Sequence, residues 1–201
     1  VAVGCLVQKY AQELARELPE VDIFVGTNDY RQIVSIIKAH KAQQEIVVHT
    51  HWTEESKEGA APRVLTTPTH YAYLRISEGC DNNCTYCVIP EMQGPYRSKT
   101  IPQIKAEAQL LAEQGVTELI LVGQDTSYYG KDLYGRFALV DLLKELAAIP
   151  ALRWIRLLYA YPNNFDDALI DYIAGEDKIC KYLDIPLQHA DDEILKRMNR
   201  K

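Results

Sequence analysis

Tyr71-Ala72-Tyr73-Leu74-Arg75-Ile76-Ser77-Glu78-Gly79-Cys80-Asp81-Asn82-Asn83-Cys84-Thr85-Tyr86-Cys87 runs from an apolar, strand-like stretch into a loop that carries three cysteines in a C-x3-C-x2-C spacing. Soft thiolates select iron–sulfur clusters and zinc. Three of them on one short loop can hold three irons of a cubane cluster and leave the fourth iron open for chemistry. A zinc site asks for four N or S ligands, and the nearest upstream histidine is His70. A disulfide would leave one of the three cysteines over, and reduced cytosolic thiols do not pair. Three unrelated buried cysteines would explain poorly why Gly79, Asp81, Asn82 and Asn83 surround them. Those residues form tight turns and can point backbone N–H groups at sulfur. A loop that follows a strand would lie at the strand's C-terminal end, where parallel α/β sheets place their sites.

Outward from this stretch, strand and helix alternate four times from residue 70. Strands are expected near 71–76, 118–123, 154–159 and 182–187, and helices near 101–114, 138–148, 166–174 and 192–199. The first of these helices is well punctuated. Thr100 caps it, Pro102 sits in the first turn, Gln103 completes a capping box, and Gly115 ends it. Ile104, Ala108 and Leu111 are its expected buried face. Asp166 and Asp167 suit the positive end of the helix after Asn163-Asn164. Leu119-Ile120-Leu121-Val122 is apolar throughout, as in a parallel strand covered on both faces. Right-handed βα units of this kind build α/β barrels. Four do not close one, so further strands are expected beyond residue 201.

The first forty residues read as a small α/β unit. Val1-Ala2-Val3 is a strand followed by a turn at Gly4-Cys5. Tyr10, Leu14 and Leu18 share a helical face. Val21 to Val25 forms a second strand, Gly26-Thr27-Asn28-Asp29 a turn and cap, and Ile33, Ile36 and Ile37 a second helical stripe. Residues 41–69 are polar and broken by Gly59, Pro62 and Pro68, which reads as a linker with one edge strand at Ile46-Val47-Val48. The chain opens without a methionine and is read as an excised piece of a longer protein.

In a parallel sheet the residues after each strand share one rim. Here that rim would gather the three cysteines, Gly123-Gln124-Asp125-Thr126, Tyr159 with Tyr161 and Pro162, and Pro186-Leu187-Gln188-His189. Such a rim suits a polar cofactor. His189 is either a cap before a helix or a ligand. Asp184, a charge within a strand, is expected to pair with Arg156. Arg97 either holds an anion or lies in a solvated loop. Cys180 reads as an ordinary buried cysteine. The 201 residues are 47% hydrophobic and 25% charged, with a net charge of −6. That balance disfavours a surface built to neutralise phosphates and suits a basic protein partner. No apolar run approaches the roughly 18 residues of a membrane span, no signal peptide is read, and a cytoplasmic location is expected.

The cysteine loop, with aromatic Tyr86 before its last cysteine, resembles the signature of the radical S-adenosylmethionine enzymes. The resemblance implies that Cys80, Cys84 and Cys87 hold a [4Fe-4S] cluster whose open iron binds the amino and carboxylate groups of S-adenosylmethionine. Cleavage of the sulfonium bond then yields a 5′-deoxyadenosyl radical, with Tyr86 approaching the adenine. Gly4-Cys5-Leu6 is similar to the third cysteine motif of the methylthiotransferase subgroup. This implies that Cys5 is one ligand of an auxiliary [4Fe-4S] cluster whose other two cysteines lie upstream.

Gly94-Pro95-Tyr96-Arg97-Ser98, Gln124-Asp125-Thr126 and Asp184-Ile185-Pro186-Leu187-Gln188-His189 look most like one branch of that subgroup. That branch methylthiolates the β-carbon of an aspartate in small-subunit ribosomal protein twelve. The transfer-RNA adenosine branch tends to carry Asn after the equivalent Gln and a Gln-Ser-Gly run after the fourth strand. The resemblance implies S-adenosylmethionine contacts from Gln124, Asp125, Gln188 and His189, and a reduced electron donor such as flavodoxin or ferredoxin. It implies residues 1–40 as part of the auxiliary-cluster domain and residues 70–201 as the first part of a radical barrel, with further barrel units and a β-rich domain to follow. No catalytic residue beyond the clusters is assigned. Two other readings stand beside this one: the transfer-RNA methylthiotransferase, with nucleic acid as its partner, and a non-catalytic iron–sulfur or zinc module.

Overall fold

A computed structural model describes residues 1–40, 45–51 and 64–200. It divides into two compact units, Val1–Lys57 with Val88–Gly94, and Glu58–Cys87 with Pro95–Lys201. Most of the expected linker, with its Glu54, Glu55, Lys57 and Glu58 run, Gly59 and Pro62, lies outside the described residues.

The first unit holds β1 (Ala2–Val3), α1 (Cys5–Glu17), β2 (Ile23–Val25), α2 (Ile33–His40), β3 (Val47–His49) and α3 (Ile89–Gln93). Its three strands are parallel, in the order β1-β2-β3. The central strand β2 is buried on both faces. Phe24 packs with Val7 and Ala11 of α1, while Ile23 and Val25 pack with Ile36 of α2. This alternation is why three consecutive apolar residues suit a middle strand. The edge strand expected at 46–48 is β3. Two expectations change here. Tyr10 does not join the buried face of α1: it is exposed and sits at a kink with φ −118°. Val7 and Ala11 take that place beside half-buried Leu14. Asp29 does not cap the following helical turn. Its carboxylate accepts from the backbone N–H of His51 at 2.7 Å and meets that residue's imidazole at 3.2 Å.

The second unit holds β4 (Tyr71–Arg75), β5 (Ser77–Glu78), β6 (Arg97–Ser98), α4 (Ile101–Glu113), β7 (Glu118–Val122), α5 (Lys131–Tyr134), α6 (Leu139–Ala147), β8 (Trp154–Leu157), α7 (Asp167–Gly175) and α8 (Asp192–Arg197). β4, β7 and β8 form a parallel sheet in that order. This is the expected mixed α/β architecture of a partial βα barrel. Side chains alternate along each strand. Ala72, Leu74, Leu119, Leu121, Ile155 and Leu157 face a buried layer built by Ile104, Ala108 and Leu111 of α4, Leu142, Leu143 and Leu146 of α6, and Leu169 and Ile173 of α7. The other face is not covered as the unbroken apolar run of β7 suggests: Ile120 and Val122 are only half-buried, and Tyr73 is exposed. Helices on one side only are the arrangement of a barrel wall rather than of a doubly wound sheet.

The fourth expected strand is an extended segment rather than a full sheet member. A single parallel bridge joins Ile179 to Ile155, and Ala160 N–H donates to the Asp184 carbonyl at 2.9 Å. Two side-chain effects interrupt the ladder. Pro186 has no N–H to give. The carboxylate of Asp184 accepts the Tyr159 N–H at 3.1 Å, so it does not pair with Arg156. Arg156 bonds Glu118 instead, at 2.8 Å, and lies against the Tyr182 ring.

The capping box on α4 forms as expected, with Thr100 N–H donating to the Gln103 side chain at 2.8 Å. Thr100→Ala, which removes the side chain reached by the Gln103 N–H and keeps the Thr100 N–H bond, should cost about 1 kcal/mol, read as a lower urea midpoint with an unchanged slope. Among the described residues no helix is long and apolar enough to cross a membrane.

Candidate functional site

Because β4, β7 and β8 run in parallel and in register, their C-terminal ends share one rim, as anticipated from the strand order. β4 feeds the cysteine loop through β5, whose pairing with β6 turns the chain. Gly79, at φ 72°, takes the left-handed backbone that starts the loop. Residues 79–85 then have no regular structure apart from a turn beginning at Thr85, and Cys87 N–H donates to the Cys84 carbonyl at 3.0 Å. Cys80, Cys84 and Cys87 are all free and half-buried. Burial raises the pKa of the Cys80 thiol, against hydrogen bonds from Asn82 that lower it.

What fixes this loop is a buried carboxylate on the next strand end. Asp125, 2% exposed, sits just after β7. One of its oxygens accepts from Ser127 Oγ at 2.6 Å and Tyr128 N–H at 3.2 Å. The other accepts from Asn82 Nδ2 of the cysteine loop and Asn164 Nδ2 beyond β8, both at 3.0 Å. Three strand ends therefore meet on one side chain. Burial pushes its pKa up, and the hydrogen bonds pull against that. Tyr96 reinforces the joint. Its hydroxyl donates to the Asp125 carbonyl at 2.8 Å, and its N–H donates to the Asp81 carboxylate at 2.8 Å. Burial also raises the pKa of the Tyr96 phenol.

The sequence-predicted residues divide accordingly. Asp125 lies at the centre of the rim, but four protein donors saturate its carboxylate, which makes it a joint between loops. Gln124 beside it is exposed. Gln188 is exposed with φ 68°, and His189 is exposed with its Nδ1 accepting the Asp191 N–H at 2.9 Å, while Asp191 itself caps α8 through the Ile194 N–H at 3.0 Å. Tyr86 is 51% exposed. Arg97 is not in a solvated loop: it is buried in β6 with Glu78 at 3.5 Å. Cys180 is half-buried, and burial raises its thiol pKa. In the first unit, Cys5 opens α1 after Gly4 and accepts from Gln93 Nε2 of α3 at 3.8 Å.

Several side chains that tie the rim together were not singled out in the sequence. Asn82 read there only as a turn former of the cysteine loop, and Asn164 only as a residue ahead of a helix. Asp132 is bonded by both the N–H and the hydroxyl of Ser98, at 2.7 and 2.6 Å. Arg200 lies 3.8 Å from Cys84 Sγ across 116 residues of chain. Only the tertiary fold brings these together.

Among the described residues no group of three or more His, Cys, Asp or Glu side chains is placed to hold a single metal ion. A zinc site would gather its ligands on one point. A cubane asks for something else, since each thiolate ligates a different iron. Three free thiols on one irregular loop, with amide and guanidinium donors already beside two of them, fit that group.

Comparison with known proteins agrees with this arrangement. The chain is 50% identical over 201 residues to the ribosomal protein uS12 methylthiotransferase RimO of Geotalea uraniireducens, covering 100% of this chain and 45% of that protein. Against the RimO of Thermoanaerobacter sp. it is 48% identical over 200 residues, covering 100% and 46%. It therefore spans less than half the length of these curated relatives. A solved radical S-adenosylmethionine methyltransferase, TsrM from Kitasatospora setae with cobalamin and a [4Fe-4S] cluster bound, superposes with a TM-score of 0.50 at 20% identity. That superposition covers 62% of this chain and 24% of the other, and speaks to the fold alone. The sequence profile of the Radical SAM superfamily matches residues 74–201, from the end of β4 through the cysteine loop and beyond, and the chain belongs to that superfamily.

Proposed function

We propose that this chain is the cluster-bearing core of an iron–sulfur enzyme that methylthiolates the β-carbon of an aspartate in ribosomal protein uS12. Cys80, Cys84 and Cys87 are its ligands to a [4Fe-4S] cluster, and Cys5 serves an auxiliary one. The observation that carries the reading is the C-x3-C-x2-C loop at the C-terminal end of β4, in a Radical SAM chain 48–50% identical along its length to RimO proteins. When bound, the cluster and S-adenosylmethionine supply the one-electron chemistry that opens a C–H bond with no acidic proton.

The chain's own residues hold and orient. The Asp125 joint fixes the loop that presents the thiols, and Tyr86, exposed beside Cys84, serves as the contact to the adenine. Gln124, Gln188 and His189 line the open rim as S-adenosylmethionine contacts. The net charge of −6 suits a basic ribosomal protein better than a transfer RNA. A reduced flavodoxin or ferredoxin is the fitting electron donor and the cytoplasm the fitting place.

The test is anaerobic reconstitution with iron and sulfide, then reduction with S-adenosylmethionine present and assay for 5′-deoxyadenosine. Formation of that product supports the radical reading, and a mass gain on added uS12 but not on transfer RNA supports the substrate. A protein that carries its cluster yet forms no 5′-deoxyadenosine is a binding module, and the proposal fails.

A further inference from the structure

The turn that closes α8 lies against the cysteine loop. Thr85 N–H donates to the Met198 carbonyl and its hydroxyl to the Arg197 carbonyl, both at 3.1 Å. Asn199 Nδ2 donates to the Asn83 carbonyl at 2.8 Å. Asn199 takes φ 52°, a left-handed backbone that Asn tolerates better than most residues. This sharp turn is followed by Arg200, which is 8% exposed. One guanidinium nitrogen lies 3.8 Å from Cys84 Sγ and 3.5 Å from Tyr86 Oη, and the other donates to the Pro186 carbonyl at 2.6 Å. The guanidinium carbon stands 4.5 Å over the Tyr161 ring.

Among the described residues no carboxylate lies within ion-pair distance of Arg200. Buried charges are ordinarily paired, because desolvating a lone one is costly. The carbonyl and the ring partly compensate, but neither is an anion. The one group touching Arg200 that becomes fully anionic when it ligates iron is Cys84.

We infer that residues 197–200 clamp the cysteine loop and that Arg200 is a positioning residue whose guanidinium is the counter-ion of the Cys84 limb of the cluster. The inference rests on the cluster assignment proposed above. Charge and hydrogen bonds at cluster sulfurs set reduction potentials. Reduction adds a negative charge, so a fixed cation beside one sulfur favours the reduced state. Clamp and cation thus act on different quantities, cluster retention and cluster potential.

The test is a redox titration of the reconstituted chain without S-adenosylmethionine, followed by electron paramagnetic resonance, with iron content and loss of iron to a chelator measured alongside. Arg200→Met is expected to lower the reduced-to-oxidised ratio about tenfold at a fixed potential, about 59 mV for one electron. Arg200→Gln, which keeps donors without charge, should follow Met, and Arg200→Lys should recover most of the ratio. Asn199→Ala, which loosens the clamp and keeps the cation, should lose iron several-fold faster with an unchanged midpoint. Equal midpoints in wild type, Arg200→Met and Arg200→Gln overturn the inference. So does a change confined to S-adenosylmethionine affinity, which would make Arg200 a ligand contact. A wild type that takes up no cluster overturns the proposed function as well, so the two failures are told apart.

Discussion

Cys84→Ala, reconstituted beside the wild type, is expected to lose the visible iron–sulfur absorption and to form at least about 100-fold less 5′-deoxyadenosine. Losing even an outer partner of a metal ligand costs about 10–100-fold in affinity or activity, and a ligand itself is worth more. Cys80→Ala and Cys87→Ala should behave alike, because a cubane held by three thiolates cannot spare one. Cys180→Ala supplies the contrast. Cys180 is equally half-buried, but it lies beside Ile155, where its N–H donates to that residue's carbonyl, and takes no part in the loop. It should keep both the absorption and the product. Undiminished product from Cys84→Ala would remove that residue from the ligand set. Equal loss from Cys180→Ala would mean that the assay reports general unfolding.

The contrast between these cysteines also marks what a sequence can carry. That Cys80, Cys84 and Cys87 share one loop was legible because their spacing is local, within eight consecutive residues. The capping box at Thr100 and the buried stripe of Ile104, Ala108 and Leu111 were legible for the same reason, since helical periodicity and caps are properties of neighbours. The rim was legible through topology, because parallel strands must place their ends together. The partners across that rim were not. Asp184 looked like a mate for Arg156 because both were assigned to neighbouring strands. Which carboxylate an arginine finds depends on register, and register put Glu118 on Arg156 and the Tyr159 N–H on Asp184. The Asp184 carboxylate on the Tyr159 N–H also accompanies the interrupted fourth strand, beside the N–H that Pro186 lacks. Asp125 was singled out correctly as a rim residue, yet no local pattern says that two asparagines, 43 residues before it and 39 after it, saturate its carboxylate.

That joint carries the second large effect. Asp125→Ala is expected to destabilise the protein by about 2–4 kcal/mol, because it strands several buried or half-buried donors at once and each unsatisfied one costs about 1–3 kcal/mol. The sum is not simply additive. Ser127 can turn its single hydroxyl proton from Asp125 to the Tyr161 carbonyl, 3.2 Å away, and removing a buried carboxylate relieves the desolvation that raises its pKa. Asp125→Asn should cost less than Asp125→Ala. It keeps one acceptor and the side-chain shape, but turns an amide donor toward donors on one side. Urea unfolding should order the stabilities as wild type, Asp125→Asn, Asp125→Ala. The cysteine loop should register the same ordering. Asn82 is its tie to the second strand end, so a loaded Asp125→Ala protein should surrender iron to a chelator faster than wild type even where it remains folded. An Asp125→Ala protein within about 0.5 kcal/mol of wild type, the range of an ordinary surface change, would mean that the three strand ends are held by their backbone bonds alone. The Thr126 N–H on the Tyr159 carbonyl at 2.9 Å is one such bond. Normal stability with rapid iron loss would assign Asp125 to the loop and not to the fold. The joint described here requires both to move together, because one carboxylate bonds the loop through Asn82 and the sheet ends through Ser127, Tyr128 and Asn164.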